Sequence, residues 1–445
     1  MKILDNFMNR VLLGTIIALT GFGVIACEDE PDKYKVASGV PTILYVRSPS
    51  ATSADSLITA ASTGSTICLV GNNLRSIYEL YFNDQQAILN SSYMTDNVVI
   101  VDIPQTIPGV VSDKIYMVTQ KKDTVTYDFS VTVSAPTLTA MSCEYAPVGS
   151  EVTITGNYFV DDPNVPLSVV FPGNVAVTEF TNISQTSISF VVPDCTQEGS
   201  IDVTTVYGTT TSTFHYLDTR GMMFDFDGVT GLGNHGWHDA TITSDETSIT
   251  GNFVQLGDGA TTMSADGAWN DSKFAFEYWP GDWSTPTNYP EGEGIRLFDL
   301  VDFSDYANMA VKFEMYIPST SPWSAGALQV IMAGADKVTY GNGGTDVYGN
   351  VIAAPNNTYF QDDVLPRALY RPWTTTGTYN TGDQWITVSL PISTSFVYGF
   401  SGNTATGTLS ESDFASLVLF VVGGGVTGTD CTPIIKIDNI RAVPN

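Results

Sequence analysis

The chain contains one pattern twice. Gly64-Ser-Thr-Ile-Cys-Leu-Val-Gly71-Asn-Asn-Leu74 matches Gly149-Ser-Glu-Val-Thr-Ile-Thr-Gly156-Asn-Tyr-Phe159, each with glycines seven residues apart around an alternating strand. Phe82 and Ala87 correspond to Phe171 and Ala176, and Pro104 follows Phe82 by 22 residues as Pro193 follows Phe171. Later segments agree as well, Ile115–Thr119 with Ile201–Thr205 and Tyr127–Phe129 with Phe214–Tyr216, and the second copy differs mainly by a short insertion around Asp161-Asp162-Pro163. Equal internal spacings mean that one supersecondary unit is built twice. Within it, Val152 and Ile154 alternate with Thr153 and Thr155, which sends one face of the strand into a core and the other into water. Short strands of this kind, separated by Gly, Pro and Asn turns, describe a small antiparallel sandwich, so the expected fold class is all-β.

At 445 residues the chain is too long for one core and implies several domains. Long apolar stripes at helical spacing are absent, and Thr, Ser, Gly, Val and Tyr are abundant, which again favours β structure. The net charge of −29, from 47 acidic against 18 basic side chains, repels nucleic acid and acidic polysaccharides. A neutral partner is expected, with no nucleic acid.

Residues 1–26 read as a secretion signal, in which Lys2 and Arg10 precede an apolar run from Val11 to Val24 that is short for a membrane span. The run ends in Val24-Ile25-Ala26-Cys27, which resembles a bacterial lipobox. In that reading Cys27 becomes the first mature residue and carries the lipid, whose acyl chains contribute about 0.8 kcal/mol per buried methylene to membrane anchoring. Glu28-Asp29-Glu30-Pro31-Asp32 follows and resembles the surface-export signal of Bacteroidetes-type outer-membrane lipoproteins, so residues 27–38 are expected to be a lipidated acidic tether. The remaining cysteines, Cys68, Cys143, Cys195 and Cys431, lack any CxxC or metal-ligand spacing. Buried free thiols are expected, although Cys143 and Cys195 could pair in an oxidising compartment.

After Asp218 the chemistry changes. All seven tryptophans, Trp237, Trp269, Trp279, Trp283, Trp323, Trp373 and Trp385, lie beyond residue 236. Met222-Met-Phe-Asp-Phe-Asp227 opens an alternating strand and Ile434-Ile-Lys-Ile-Asp-Asn-Ile-Arg441 closes the chain similarly. Tryptophan combines a large flat apolar face with a polar N–H, so it serves either in a core or as an exposed stacking platform. In Phe274-Ala-Phe-Glu-Tyr278-Trp279-Pro-Gly-Asp-Trp283, neighbours Tyr278 and Trp279 must point to opposite faces of a strand, and both can be buried only if it is covered on both sides. Pro280 and Gly281 instead suggest that the strand stops and that the Trp279 ring stands at a loop edge. A ring so placed can hold the flat C–H face of a β-linked glucose or xylose while Asn, Asp and Gln bond the hydroxyls. Trp237, in the glycine-rich Gly231-Leu-Gly-Asn-His235-Gly-Trp237, is a second candidate for exposure, and Trp323 and Trp373, each after a proline, are further loop candidates. Trp269 and Trp385 are expected in the core.

The repeat resembles the IPT/TIG family of immunoglobulin-like domains through Gly149, Thr153-Ile154-Thr155-Gly156, Phe159, Phe171 and Pro193; in the first copy Leu74 replaces the aromatic. The whole mature chain resembles type B surface glycan-binding proteins of Bacteroidetes-type polysaccharide-utilisation systems, and the stretches Asp245–Phe253 and Tyr278-Trp279 look especially close to them. The resemblance implies immunoglobulin-like spacers over residues 39–134 and 135–218 and a larger jelly-roll-type glycan-binding β-sandwich over residues 219–445. It also implies a lipid anchor at the outer-membrane surface, a neutral polysaccharide such as xyloglucan as ligand, a TonB-dependent transporter complex as partner, no catalysis, and a platform of one tryptophan with a Tyr-Trp pair. That platform maps onto Trp237, Tyr278 and Trp279, with Trp283 or Trp323 able to replace Trp237.

Other chemistries are weaker. His235 and His238 lack a distant third histidine for a metal, whereas Asp225 and Asp227 near Asp438 could hold a structural calcium or be solvated strand acids; no cofactor is expected otherwise. A glycoside hydrolase needs only two carboxylates about 5 to 10 Å apart, but the E-x-D-x-x-E strand signature of jelly-roll glucanases is missing. A structural or adhesive surface protein is the third reading.

Overall fold

The structure, a computed structural model, describes residues 39–50, 52, 56–233, 240–267, 271–280, 295–334 and 362–445. Signal, lipobox and acidic tether, with Cys27, lie outside the described residues. The fold is all-β, and the chain forms two compact units divided between Val133 and Ser134.

The first unit is a sandwich. Thr42–Arg47, Thr66–Asn72 and Val98–Asp102 form a three-stranded sheet in that order, and Gln85–Ala87, Ile77–Phe82, Lys114–Thr119 and Thr124–Asp128 form a four-stranded one. Leu69, Leu80, Phe82, Val99, Ile115 and Met117 meet between them, each at most 1% exposed.

The second unit begins with the other copy of the repeat. Its sheets run Thr137–Met141, Glu151–Asn157, Ser187–Val191, Phe180–Ile183, and Val175–Ala176, Ser168–Phe171, Gly199–Thr205, Gly208–Tyr216. Phe171 packs edge-on against Phe190 and Tyr216 in its core. The shared glycines have a physical reason. A Cβ on Gly71 or Gly156 would lie 1.9 or 1.8 Å from the carbonyl oxygen of Thr42 or Thr137, where the neighbouring strand shifts register and approaches closely. All four described cysteines are free thiols, and Cys68, Cys143 and Cys195 are buried.

A larger sandwich follows in the same unit. One sheet runs Thr241–Thr243, Phe253–Leu256, Ile435–Pro444, Met309–Tyr316, Ile386–Pro391, with Met222–Phe224 also paired to Ile435–Pro444. The other runs Ala275–Tyr278, Ser416–Val421, Leu328–Ala333, Ala368–Tyr370. In the closing strand Ile437 and Ile440 both face the core although three residues apart. A register shift makes this possible: Asn439, at a φ of 50°, resets the alternation opposite Lys312 and Glu314.

The second and third sandwiches are joined by a buried charge cluster. On Met309–Tyr316, alternation places Lys312 and Glu314 on the face away from the sandwich core, yet all eight residues are buried. The second sandwich covers them. Glu144 accepts from Lys312 Nζ at 2.6 Å and from Arg441 at 2.7 Å, and Arg441 also donates to Glu314 at 2.8 and 3.1 Å. Thr387 Oγ1 accepts from the Glu144 backbone and donates to Glu314, while the Thr387 backbone N–H donates to the Ser142 carbonyl. Low local dielectric strengthens every link of such a network, so its members are costly to remove singly.

Asp438, on the same face, accepts from the Thr250 hydroxyl and the Asn439 N–H. Burial pushes its carboxyl up to about 8 against the pull of those two bonds, and Glu314 and Asp227 push the same way. Between its ordinary value of 3.8 and about 8 the folded chain therefore holds a proton that the unfolded chain has lost, and stability falls as pH rises through that window. Asp438→Asn is expected to gain about 2 kcal/mol at pH 8.5 and little at pH 4, which denaturant unfolding at the two pH values would read. An equal effect at both would contradict this.

Candidate functional site

The four-stranded sheet of the third sandwich has two unlike faces. Strand period places Phe276, Tyr278, Leu328, Val330, Leu417 and Leu419 on the inner face, packed against the six-stranded sheet. Ala275, Trp279, Ile331, Ala333, Val418 and Phe420 form the outer face, joined by Leu365 and Val422. Among these outer residues lie Glu277, Gln329 and Arg367, all 0% exposed. Gln329 accepts from Arg367 at 3.0 Å and donates to the Val422 carbonyl at 2.9 Å. Both faces are thus covered, the condition under which Tyr278 and Trp279 can be buried together.

This corrects the expected exposure of four aromatics. Tyr278 is 4% exposed, crosses Phe224 edge-on at 5.4 Å and donates its hydroxyl to the Ile295 carbonyl at 2.5 Å. Burial raises its phenol to about 12, so it stays a neutral donor. Trp279 is 1% exposed on the outer face, not at a loop edge. Trp323 is fully buried and donates its indole N–H to the Ala325 carbonyl at 2.5 Å, which makes it a core residue rather than a platform. Trp373, also read as a loop candidate, is buried and donates to the Gly326 carbonyl at 2.7 Å. A proline before a tryptophan marks a turn, but the turn here folds back onto the core. Trp385 is half-buried, between Phe253 and Tyr316 and against the second sandwich, with its N–H on the Thr247 carbonyl. Trp237, Trp269, Trp283, His235 and His238 lie outside the described residues.

The Asp245–Phe253 stretch is structural. Asp245 pairs with Lys436 at 2.5 Å, Ile249 packs on the core of the second sandwich, and Thr250 donates to Asp438. Asp227 accepts from the backbone and side chain of Asn252, and Asp225 from the Val229 N–H, so these acids are engaged by the chain itself. Among the described residues Glu198, His215 and Asp218 do approach one another, but Arg220 already holds Asp218 through two bonds of 2.8 Å and supplies the positive charge there.

The polar residues on the outer face had been missed. Glu277 offered a signal: one acid inside Phe274-Ala-Phe-Glu-Tyr-Trp, on a strand otherwise wholly apolar or aromatic, is a polar group destined for burial. Gln329 and Arg367 offered none. Residues 281–294, after Pro280, and 335–361, after Gly334, are rich in rings, with Trp283, Tyr289, Tyr340, Tyr348, Tyr359 and Phe360.

Residues 216–444, which take in this whole sandwich, match the family profile described as the surface glycan-binding protein B xyloglucan binding domain. The chain belongs to the surface glycan-binding protein B family. The crystal structure of PbSGBP-B from Prevotella bryantii is similar over 92% of this chain and 99% of its own, with 46% identity and a TM-score of 0.83. An IPT/TIG domain-containing protein of Bacteroides ovatus is 23% identical over 395 residues, covering 65% of this chain and 78% of that protein. Surface glycan-binding proteins of type B bind sugars at the cell surface and are not enzymes, which sets aside the hydrolase reading.

Proposed function

We propose that the third sandwich binds a neutral, mainly β-linked polysaccharide, xyloglucan or a related β-glucan or hemicellulose, without cleaving it. The observation that carries this is the match of the xyloglucan-binding profile over residues 216–444. The charge of −29 supports a neutral ligand. In this reading Cys27 anchors the protein by its lipid to the outer membrane, and the captured glycan passes to degradation and a TonB-dependent transporter complex.

With Tyr278 and Trp323 in the core, stacking falls to Trp237 and Trp283. Trp283 follows Trp279 by four residues, and Trp279 fixes the end of the strand from which that segment leaves. Calorimetry of the full chain with soluble xyloglucan, mixed-linkage β-glucan and galactomannan, with a product assay, tests the reading. We expect heat with a β-linked neutral glycan and no products. Trp283→Ala and Trp237→Ala are each expected to weaken binding by about 2 kcal/mol, roughly thirtyfold, with an unchanged melting temperature. Undiminished binding by both variants would remove the proposed platform, and released oligosaccharides would remove the binding-only reading.

A further inference from the structure

The two copies of the repeat differ in one place. In the second, Phe180–Ile183 pairs with Ser187–Val191 as the fourth strand of its sheet. In the first, the corresponding residues form the 3₁₀ turn Ser91–Tyr93, and the strand Val98–Asp102 is left as the edge of a three-stranded sheet. An isolated bridge from Met94 to Val99 covers only its start. Beside this edge lies a groove of about 830 Å³ that reaches the short edge strand Gln85–Ala87 of the opposite sheet.

The groove has the chemistry of a neutral sugar site. Gln86, Asn90 and Gln105 bring amides into it, Tyr93 is 59% exposed and Ile88 91% exposed. The side chains of Gln86, Gln105 and Tyr93 make no bond to the described residues. Its one carboxylate, Asp102, accepts from Thr66 Oγ1 at 2.5 Å, and no Lys or Arg lines it. A volume of this size holds a small-molecule ligand, and amides with an exposed ring are what a glycan's hydroxyls and C–H face need.

The repeat supplies its own control. Equal spacing between Phe82 and Pro104 and between Phe171 and Pro193 fixes the correspondence without gaps: Gln86 becomes Val175, Asn90 becomes Glu179, Tyr93 becomes Asn182 and Gln105 becomes Asp194. Ile88 becomes Val177, which is buried. A module serving only as a spacer gives no reason for one copy to lose a strand and gather amides and a tyrosine at the gap.

We infer that the first sandwich carries a second binding groove for the same neutral polysaccharide. This rests on the glycan-binding reading of the third sandwich. Two sites on one chain raise the avidity for a long polymer without changing the affinity of either for a short oligosaccharide.

The test uses the full chain and a triple variant, Gln86→Val, Tyr93→Asn and Gln105→Asp, which installs the residues of the second copy at exposed positions. Retention in gels containing xyloglucan reads polymer binding. Tryptophan fluorescence titrated with a short xyloglucan oligosaccharide reads the third sandwich alone, because every tryptophan lies beyond residue 236. The variant is expected to lose roughly tenfold in polymer affinity while its fluorescence titration is unchanged. Equal polymer affinity would overturn the second groove and leave its open strand edge to pairing with a peptide strand. A parent protein that binds neither polymer nor oligosaccharide would overturn both this inference and the reading beneath it.

Discussion

Arg441→Met should destabilise the unit that contains it by about 3–5 kcal/mol, the cost of leaving buried charge uncompensated. The guanidinium is 0% exposed and joins Glu144 of the second sandwich to Glu314 of the third. Without it, two buried carboxylates remain with Lys312 Nζ, on Glu144, as their one cation among the described residues. The methionine fills much of the volume, so the loss reports charge rather than a cavity. Burial raises the Glu314 carboxyl, its protonation relieves the uncompensated charge, and the deficit is therefore expected to shrink as pH falls. Denaturant unfolding at pH 8 and pH 5 would measure it. Pairing Arg441→Met with Glu144→Gln should cost less than the sum of the two, because they share one network. A deficit below about 1 kcal/mol, or strict additivity, would mean that the cluster does not couple the two sandwiches.

Trp279→Ala is expected to cost about 3–5 kcal/mol as well, for a different reason. The indole is 1% exposed among Ala275, Ile331, Val418 and Phe420, the last three on strands held by pairing on both sides, and such surroundings collapse little around a void. Glycan binding should weaken with it, since the chain leaves the sheet at this residue toward Trp283. Thermal unfolding together with calorimetry separates the roles: Trp279→Ala lowers melting temperature and binding together, Trp283→Ala lowers binding alone. Full stability with lost binding for Trp279→Ala would restore its ring to the sugar contact surface.

Much of the fold was legible in the chain. Period-two alternation and the twice-used glycine spacing determine the strands, and Gly71 and Gly156 report close approaches of backbone that a Cβ would not permit. Free thiols followed from cysteine spacing. Family membership rested on short runs whose residues are local.

Exposure of the aromatics was less legible, because a turn residue says where a strand stops and not what later covers it. Trp323 and Trp373 follow prolines as a loop tryptophan would, yet their indole N–H groups reach carbonyls only two and 47 residues away in sequence, and each is buried by the fold around it. Alternation places Lys312 and Glu314 on the face of their strand away from the sandwich core, and on an isolated sandwich that face would meet water.

The sequence alone determined the strands, the duplicated module and the concentration of tryptophan beyond residue 236, since each follows from local pattern. Only the tertiary structure decided which faces are covered. It buried Tyr278, Trp279 and Trp323, turned Lys312, Glu314 and Arg441 into a seam between two sandwiches, and opened a groove where one copy of the repeat lacks a strand. Burial depends on contacts between residues far apart in the chain, 47 positions for Trp373 and Gly326 and 297 for Glu144 and Arg441, and no local pattern encodes them.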